Sequence, residues 1–556
     1  MKRYLKSAAA LLTAVFIGLL AGCASDSADT GGSSGTPSAP SGGAAPSGSA
    51  GEGFFNPVGY PIVNEPYELD ILMVRFEGHA DKYSDNKWFT ELREKTNVIP
   101  NWIEVMATSF PEQKGVMFAS GDLPDVIFGA NQLYDNDIIE NLDYFMPLNG
   151  LIEEYMPNLT KAFEAEPGMR SAATYLDGVI YTLPSLAYVR PIVGSQPIIN
   201  KVWLDNLGLG IPQTLDELYD VLYAFKNNDP KGDGSLVIPF TGGAADANTF
   251  FPELPIATFF GARGNYNEGL AICDGAATFV PATEETKEAI KFMRRMFENG
   301  LMDNEFYTQI WSTSYAKRVD SEQPIVGFEL GWTPDASFGQ WADQYIVIAP
   351  PARADGRRFN GQMPGIISRN EYMITTNCEY PEIAARWADE FYTIEASAQN
   401  TFGPLDGHCL EERADGTWVV LPPTADETLD QRSWFYSPRD FGPKFFPVNY
   451  EDFGFKLELY PDAGDGVKLG LQEIGLPYTD LGSEFPSLAF YTQEQTDVIN
   501  AYRTDIRTLV NSTLARWVSH GGIEDEWDTY IAQLKSIGLD QWLEAHQAAY
   551  DAYMAG

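Results

Sequence analysis

Side chains able to do soft-metal, redox or proton-switch chemistry are scarce in this chain of 556 residues: four cysteines and four histidines. Their spacing excludes much. No Cys-x-x-Cys and no His-Glu-x-x-His occurs, so a zinc centre has no ligand set to start from. Beyond Cys23 the cysteines are Cys273, Cys378 and Cys409, and an odd number is not a disulfide framework. A single Cys378–Cys409 bridge and three free thiols both stay open. One loop, Asp229-Pro230-Lys231-Gly232-Asp233-Gly234-Ser235, offers hard oxygen ligands in Asp229 and Asp233. Calcium asks for several oxygens and a late carboxylate. Two carboxylates with the Lys231 ammonium between them make a poor site, so the expectation is a Gly-rich turn with no metal. Gly208-Leu209-Gly210 follows no strand and precedes Pro212, so it is no dinucleotide loop. None of the 78 acidic residues forms a local pair that marks acid–base catalysis. Aromatics are abundant instead. The 12 Trp and 28 Tyr leave rings over for a binding site once a core is filled.

Those residues need elements to hold them. Leu69 to Phe76 reads as a buried strand, a short helix ends at Leu92, and Val98 to Val105 reads as a second strand. Phe110 to Ala119 predicts a helix, broken by Gly121 to Pro124, and Asp125 to Phe128 a third strand. Strand, helix, strand, helix, strand signals a mainly parallel α/β unit. Thr214-Leu215-Asp216-Glu217 is a capping box ahead of a helix carrying Leu218, Leu222 and Phe225. Ala289 to Phe297 forms a second apolar helix face that Asn299-Gly300 ends, and Pro381 starts a third helix. Helical spacing returns from Ile499 to Trp517, stops at Gly521-Gly522, and resumes at Trp527. Short apolar runs at Ile325–Phe328, Tyr345–Ile348 and Tyr372–Thr375 add strands far from the first group, which suggests a second α/β lobe and more than one crossing.

The N-terminus carries an address. Lys2, Arg3 and Lys6 precede an apolar run from Ala8 to Leu20, the pattern of a secretory signal. The run is shorter than the roughly 20 residues that span a bilayer. Leu20-Ala21-Gly22-Cys23 resembles the lipobox of bacterial lipoproteins, in which the cysteine carries a diacylglycerol and begins the mature chain. Ala24 to Gly53 is almost entirely Ser, Gly, Ala and Pro and reads as a flexible tether, spanning roughly 30 Å root-mean-square. Removing residues 1–22 takes away three basic residues and no acid, which deepens the net charge from −41 to −44. Such a surface excludes nucleic acid as a partner.

The segment from Gly121 to Phe128 is at least a tight turn feeding a strand. It also resembles the Ser-Gly-Asp-Leu-Pro-Asp-Ile pattern of extracellular solute-binding proteins of ABC transporters, the oligosaccharide-binding type. Further segments agree in order: Tyr155-Met156-Pro157-Asn158-Leu159, Asp177 to Pro184, Ile199 to Gly208, Asn299 to Asp303, and Tyr380 to Asp389. From about Pro66 onward the chain is similar to the large lipoprotein subgroup of Gram-positive bacteria, whose acidic EF-hand-like loop falls where Asp229 to Phe240 lies.

The resemblance implies an α/β fold of two periplasmic-binding-protein-like lobes, with a hinge, an interlobe cleft and a helical C-terminal extension. The expected division is a signal peptide at 1–22, an anchor and linker at 23–65, lobe 1 at 66–190 with a return segment at 371–405, and lobe 2 at 191–370 with 406–556. The implied function is capture of an oligosaccharide and delivery to ABC permease subunits, at the extracellular face of the membrane, by a lipid-anchored monomer with no cofactor and no catalytic step. A secreted carbohydrate-active enzyme on the same anchor, or a sensor or adhesin lipoprotein, is the alternative. Aromatic rings cover the apolar faces of sugars, and polar side chains bond the hydroxyls. Sites in such folds lie at the carboxyl ends of strands. That nominates Phe76 and Glu77 after the first strand, Asn131 and Gln132 after the third, Tyr188 and Arg190 at the first crossing, Trp332 in the other lobe, and Arg369 near a later crossing. Trp203 and Trp387 lie on apolar helix faces and are assigned to packing. The charge favours neutral glycans, although Arg190 and Arg369 would suit a uronic acid.

Overall fold

The computed structural model describes residues 53–75, 86–129, 133–187, 192–243, 250–265, 268–362, 367–427, 429–460, 462–480 and 484–555. Its first sheet starts as the sequence predicts. Strand β1 (Tyr67–Arg75) pairs in parallel with β2 (Val98–Met106) on one side and β3 (Val126–Phe128) on the other. The apolar run of β1 is continuous because both faces are covered. Leu69, Ile71 and Met73 enter one core, and Leu72 and Val74 enter another with Phe110 and Met117 of the helix Phe110–Ser120.

The rest of this sheet comes from distant chain. Strand β4 (Leu183–Ala187), β11 (Ile367–Ile374) and β14 (Lys444–Phe446) complete the order β14-β4-β11-β3-β1-β2. Strand β11 runs antiparallel to both β3 and β4, and β14 runs parallel to β4. Residues 406–463 therefore belong with lobe 1, a correction to the expected division. Leu410, Trp418, Phe446, Phe455 and Ala463 are buried in the lobe-1 core, and β12 (Leu410–Glu412), β13 (Thr417–Val420) and β15 (Lys456–Leu459) form a small sheet beside it. The ordered fold also starts before Pro66. Ile62 and Val63 are fully buried in lobe 1, and Phe54 and Phe55 pack against it. Trp387 is fully buried there, among Trp102, Phe128, Tyr372 and Phe391.

The second sheet has the order β10-β5-β9-β6, from β5 (Gln196–Asn200), β6 (Ile238–Phe240), β9 (Val326–Gly331) and β10 (Tyr345–Val347). Close packing here relies on Gly327, where a Cβ would stand 2.5 Å from the Phe225 ring and 3.0 Å from Trp203. Trp203 is buried, as its helical register predicts. A hairpin of β7 (Leu270–Cys273) and β8 (Ala276–Phe279) and three C-terminal helices, Gln493–His520, Ile523–Ile537 and Leu539–Ala555, share this lobe's core. The break at Gly521-Gly522 falls where the sequence places it. The capping box differs in one bond. Thr214 Oγ1 accepts the Glu217 N–H at 3.2 Å, but the Glu217 carboxylate takes the N–H of Gln213, at 2.7 Å. Ala352 bridges this turn through its neighbours, donating to the Gln213 carbonyl at 2.8 Å and accepting the Leu215 N–H at 2.9 Å. Cys378 and Cys409 are separate buried thiols. Among the described residues no helix is long and apolar enough to cross a membrane.

The connections between lobes lie side by side. Gly194 N–H donates to the Gly361 carbonyl at 2.7 Å, and Val193 bridges Gln362 in antiparallel fashion. A Cβ at Gly194 would stand 3.2 Å from the Gly361 backbone, so a larger residue would push the two connections slightly apart. The helix Gly464–Gly475 and the turn after it run alongside. Gln472 accepts the Ile192 N–H, and Asn360 N–H donates to the Tyr478 carbonyl. Sheet 1 thus hands the chain to sheet 2 and takes it back at one place.

Two outcomes follow from these cores. Trp387→Ala removes a fully buried indole and should cost about 3–5 kcal/mol, read as a lower urea midpoint. Glu253 is 1% exposed beside the Tyr307 hydroxyl, and burial, only partly offset by that neighbour, pushes it up to about 7. An acid raised in the folded state holds its proton where the unfolded chain has lost it. Stability should therefore fall as pH rises from about 4.5 to 7 and stay low above that, by on the order of 3 kcal/mol. Glu253→Gln should flatten that slope in pH-dependent melting.

Candidate functional site

Strands β1, β2, β3, β4 and β14 all run the same way, so their carboxyl ends share one edge of sheet 1. Strand β11 starts at that edge, because Ile367 stands beside Leu186. In sheet 2, Gly331 at the end of β9 stands beside Gln196 at the start of β5, and β6 is parallel to β9. The carboxyl ends of β6 and β9 therefore share the edge at which the chain enters from lobe 1. The two edges that fold logic marks for ligands both lie at the hinge.

Of the residues nominated by sequence, Cys23, Phe76, Glu77, Asn131, Gln132, Tyr188 and Arg190 lie outside the described residues. Trp332 and Arg369 are described, and the structure places them on the two different edges. Trp332 follows β9 directly and is 36% exposed. Its position is set by Thr333, whose hydroxyl accepts the Ala336 N–H at 3.1 Å and starts the helix Pro334–Phe338. Arg369 sits where β11 loses register between Ser368 and Tyr372, next to Asn370 at φ 65°. That irregularity turns Asn370 into lobe 1, where its carbonyl oxygen accepts the Tyr175 hydroxyl and its amide donates to Asp135 at 2.9 Å.

Arg369 is not presented openly. Its guanidinium lies 3.7 Å over the Phe490 ring, its Nε is 3.6 Å from the Asp135 carboxylate, and both terminal nitrogens are buried without a hydrogen bond. Burial pushes its pKa down, and Asp135 opposes that shift. Phe490 also packs on Tyr175, with centroids 4.7 Å apart. Its neighbours in sequence, Ala489 and Tyr491, pack in lobe 2, so this ring carries the C-terminal segment onto lobe 1.

The structure adds aromatic residues that the sequence reading did not single out. Segment 434–442 lies against the carboxyl end of β3: a Cβ at Gly442 would meet the Phe128 ring at 2.2 Å, and one at Gly129 would meet Phe441 at 2.5 Å. Phe435 on this segment is 36% exposed. Beyond β6 in lobe 2, the Gly243 backbone lies against Ile310 and Trp311. Trp311 is 58% exposed and opens the helix Trp311–Val319. No sequence signal marked it: Ser314 and Arg318, which its helix buries, stand three and seven positions on and so share its face, and only the structure shows the indole exposed.

The calcium question has a geometric answer. Lys231 Nζ donates to the Leu236 carbonyl at 2.7 Å. The Asp229 carboxylate accepts the N–H groups of Gly232 and Gly234, and Asp233 accepts that of Ser235 at 2.9 Å. The loop closes on its own donors, with an ammonium where a cation's ligand is needed, and this donor set does not fit calcium.

The model of the bacterial extracellular solute-binding protein family matches residues 77–397. The fructooligosaccharide ABC transporter substrate-binding protein FusA of Streptococcus pneumoniae is 29% identical over 483 residues, 84% of this chain and 86% of that protein. The structure of FusA in complex with kestose superposes with a TM-score of 0.75 at 28% identity, covering 88% of this chain and 99% of that one, and shares the two-lobed fold. The polygalacturonan/rhamnogalacturonan-binding protein YtcQ of Bacillus subtilis is 32% identical over 195 residues, 34% of this chain and 35% of that protein.

If the Asp229 loop is closed by Lys231, neither millimolar calcium nor a chelator should move the melting midpoint of the protein. A calcium-dependent rise of several degrees would show that the loop binds the ion.

Proposed function

The chain belongs to the bacterial extracellular solute-binding protein family, and from that premise we propose that it captures a neutral oligosaccharide between its lobes and delivers it to an ABC permease. The observation that carries this reading is the pair of facing carboxyl edges at one hinge, with exposed Trp332 on one edge and Phe435 beside the other. A ligand that touches both edges gains contacts only when the lobes close, so binding biases the hinge toward the closed form. The closed form is the state a membrane partner would read. The chain supplies no chemistry of its own in this scheme, and energy comes from a separate ATPase.

The charges at the edges support a neutral cargo. Arg75 pairs with Glu104 at 3.0 Å, Arg369 lies by Asp135, and Arg318 pairs with buried Glu329. Each of these cations already has an acid beside it, and the net charge opposes an anionic ligand. Similarity to FusA supports an oligosaccharide of fructose type. The anchor follows from the N-terminal sequence: Cys23 carries lipid, Ala24 to Gly53 is the tether, and a single copy works at the outer face of the membrane. The chain after the tether joins lobe 1, where Arg386 donates to the carbonyls of Asn56 and Gly59.

A melting panel of kestose, nystose, longer inulin chains, malto-oligosaccharides and oligogalacturonides tests the reading. A neutral oligosaccharide should raise the midpoint in proportion to the logarithm of its concentration, with oligogalacturonides silent. No shift with any sugar would sink the receptor reading, and a shift with oligogalacturonides alone would overturn the neutral assignment.

A further inference from the structure

Trp311 has no part in either core. An indole that leaves 58% of its surface in water is unusual for so large an apolar side chain, and the support beneath it is unusually well built. Its ring stacks on Tyr315, one helical turn on, with centroids 4.9 Å apart and planes at 12°. The Arg318 guanidinium lies 5.5 Å from the Tyr315 ring and pairs with Glu329 of β9 inside the lobe. The start of the helix is tied down separately. The Gln309 side-chain amide donates to Asp303 at 3.0 Å and to the Gly242 carbonyl, Lys317 Nζ donates to Asp303 at 2.8 Å, and the Thr241 hydroxyl donates to the same carboxylate at 2.8 Å. Thr241 and Gly242 directly follow β6, so this network fastens Trp311 to the carboxyl edge that Trp332 also occupies. Ile310, 48% exposed, extends the apolar surface.

A rigid, solvent-facing ring on a ligand-bearing edge suits one kind of partner best. A pyranose or furanose ring presents an apolar C–H face to an aromatic plane, and a ring that is already held loses little entropy on binding. We propose that Trp311, seated on Tyr315, is an outer sugar-stacking subsite at the rim of lobe 2, which engages the distal units of a chain whose first units sit at the hinge. It makes the protein a reader of oligosaccharide length. This rests on the receptor reading given above, and names a feature of its cargo: longer chains bind more tightly than a trisaccharide.

The test is calorimetric titration of the full protein and its Trp311→Ala and Trp311→Phe variants with two ladders, inulin-type chains from kestose upward and oligogalacturonides. Wild type should bind the long members of one ladder more tightly than the short ones. In Trp311→Ala the affinity ratio of long to short should fall about tenfold, as expected for one lost stacking contact, while Trp311→Phe keeps most of it. Melting midpoints of the sugar-free variants, unchanged for so exposed a position, show that the fold is intact. Equal length preference in Trp311→Ala and wild type overturns the rim subsite alone, as does an equal loss for short and long chains. A wild type that binds neither ladder overturns the receptor reading for these sugars and the rim subsite with it.

Discussion

Everything in this molecule depends on one backbone arrangement, the antiparallel contact of Gly194 with Gly361 and of Val193 with Gln362. The sheet of lobe 2 is inserted between β4 and β11 of sheet 1, and this contact brings the two ends of the insertion together, while the C-terminal helices join lobe 2 later in the chain. Because the ends meet, sheet 1 closes across the gap, with β11 taking its place between β3 and β4. Because they meet at the carboxyl edge, both lobes present their ligand-bearing ends to each other. Two connections side by side form one joint between two well-packed cores, so relative motion of the lobes concentrates there.

The two lobes spend their polar groups differently at these edges. In lobe 1 the edge is braced from within: Glu371 accepts the Gly442 N–H at 2.8 Å, and Asn370 ties Tyr175 to Asp135. Arg369 is absorbed by this bracing and by Phe490. In lobe 2 the bracing lies behind the edge, in the Asp303–Lys317–Gln309 network and the Arg318–Glu329 pair, and leaves Trp311 and Trp332 facing water. Buried charges cost solvation unless paired, so each pair holds its helix in one position, and the exposed rings inherit that order.

Much of the fold was legible in the chain. Periodicity located β1, β2 and the helix from Phe110, and an Asn-Gly and a Gly-Gly step marked the helix ends at Asn299-Gly300 and Gly521-Gly522. Local signals of this kind are set by neighbouring residues, which any window of sequence contains. The lobe membership of 406–463 was not legible. Strand β14 is three residues long, and its place beside β4 depends on a partner more than two hundred residues away.

The sequence by itself determined the core roles of Trp203 and Trp387 and the place of Lys231 in the Asp229 loop, because each rests on residue type and short spacing. Only the tertiary structure decided what Arg369 and Trp311 face. Both are single residues at the ends of short elements, where burial is set by whatever distant chain arrives. Phe490 arrived over Arg369, and the Tyr315 ring took one face of Trp311 and left the rest of the indole in water.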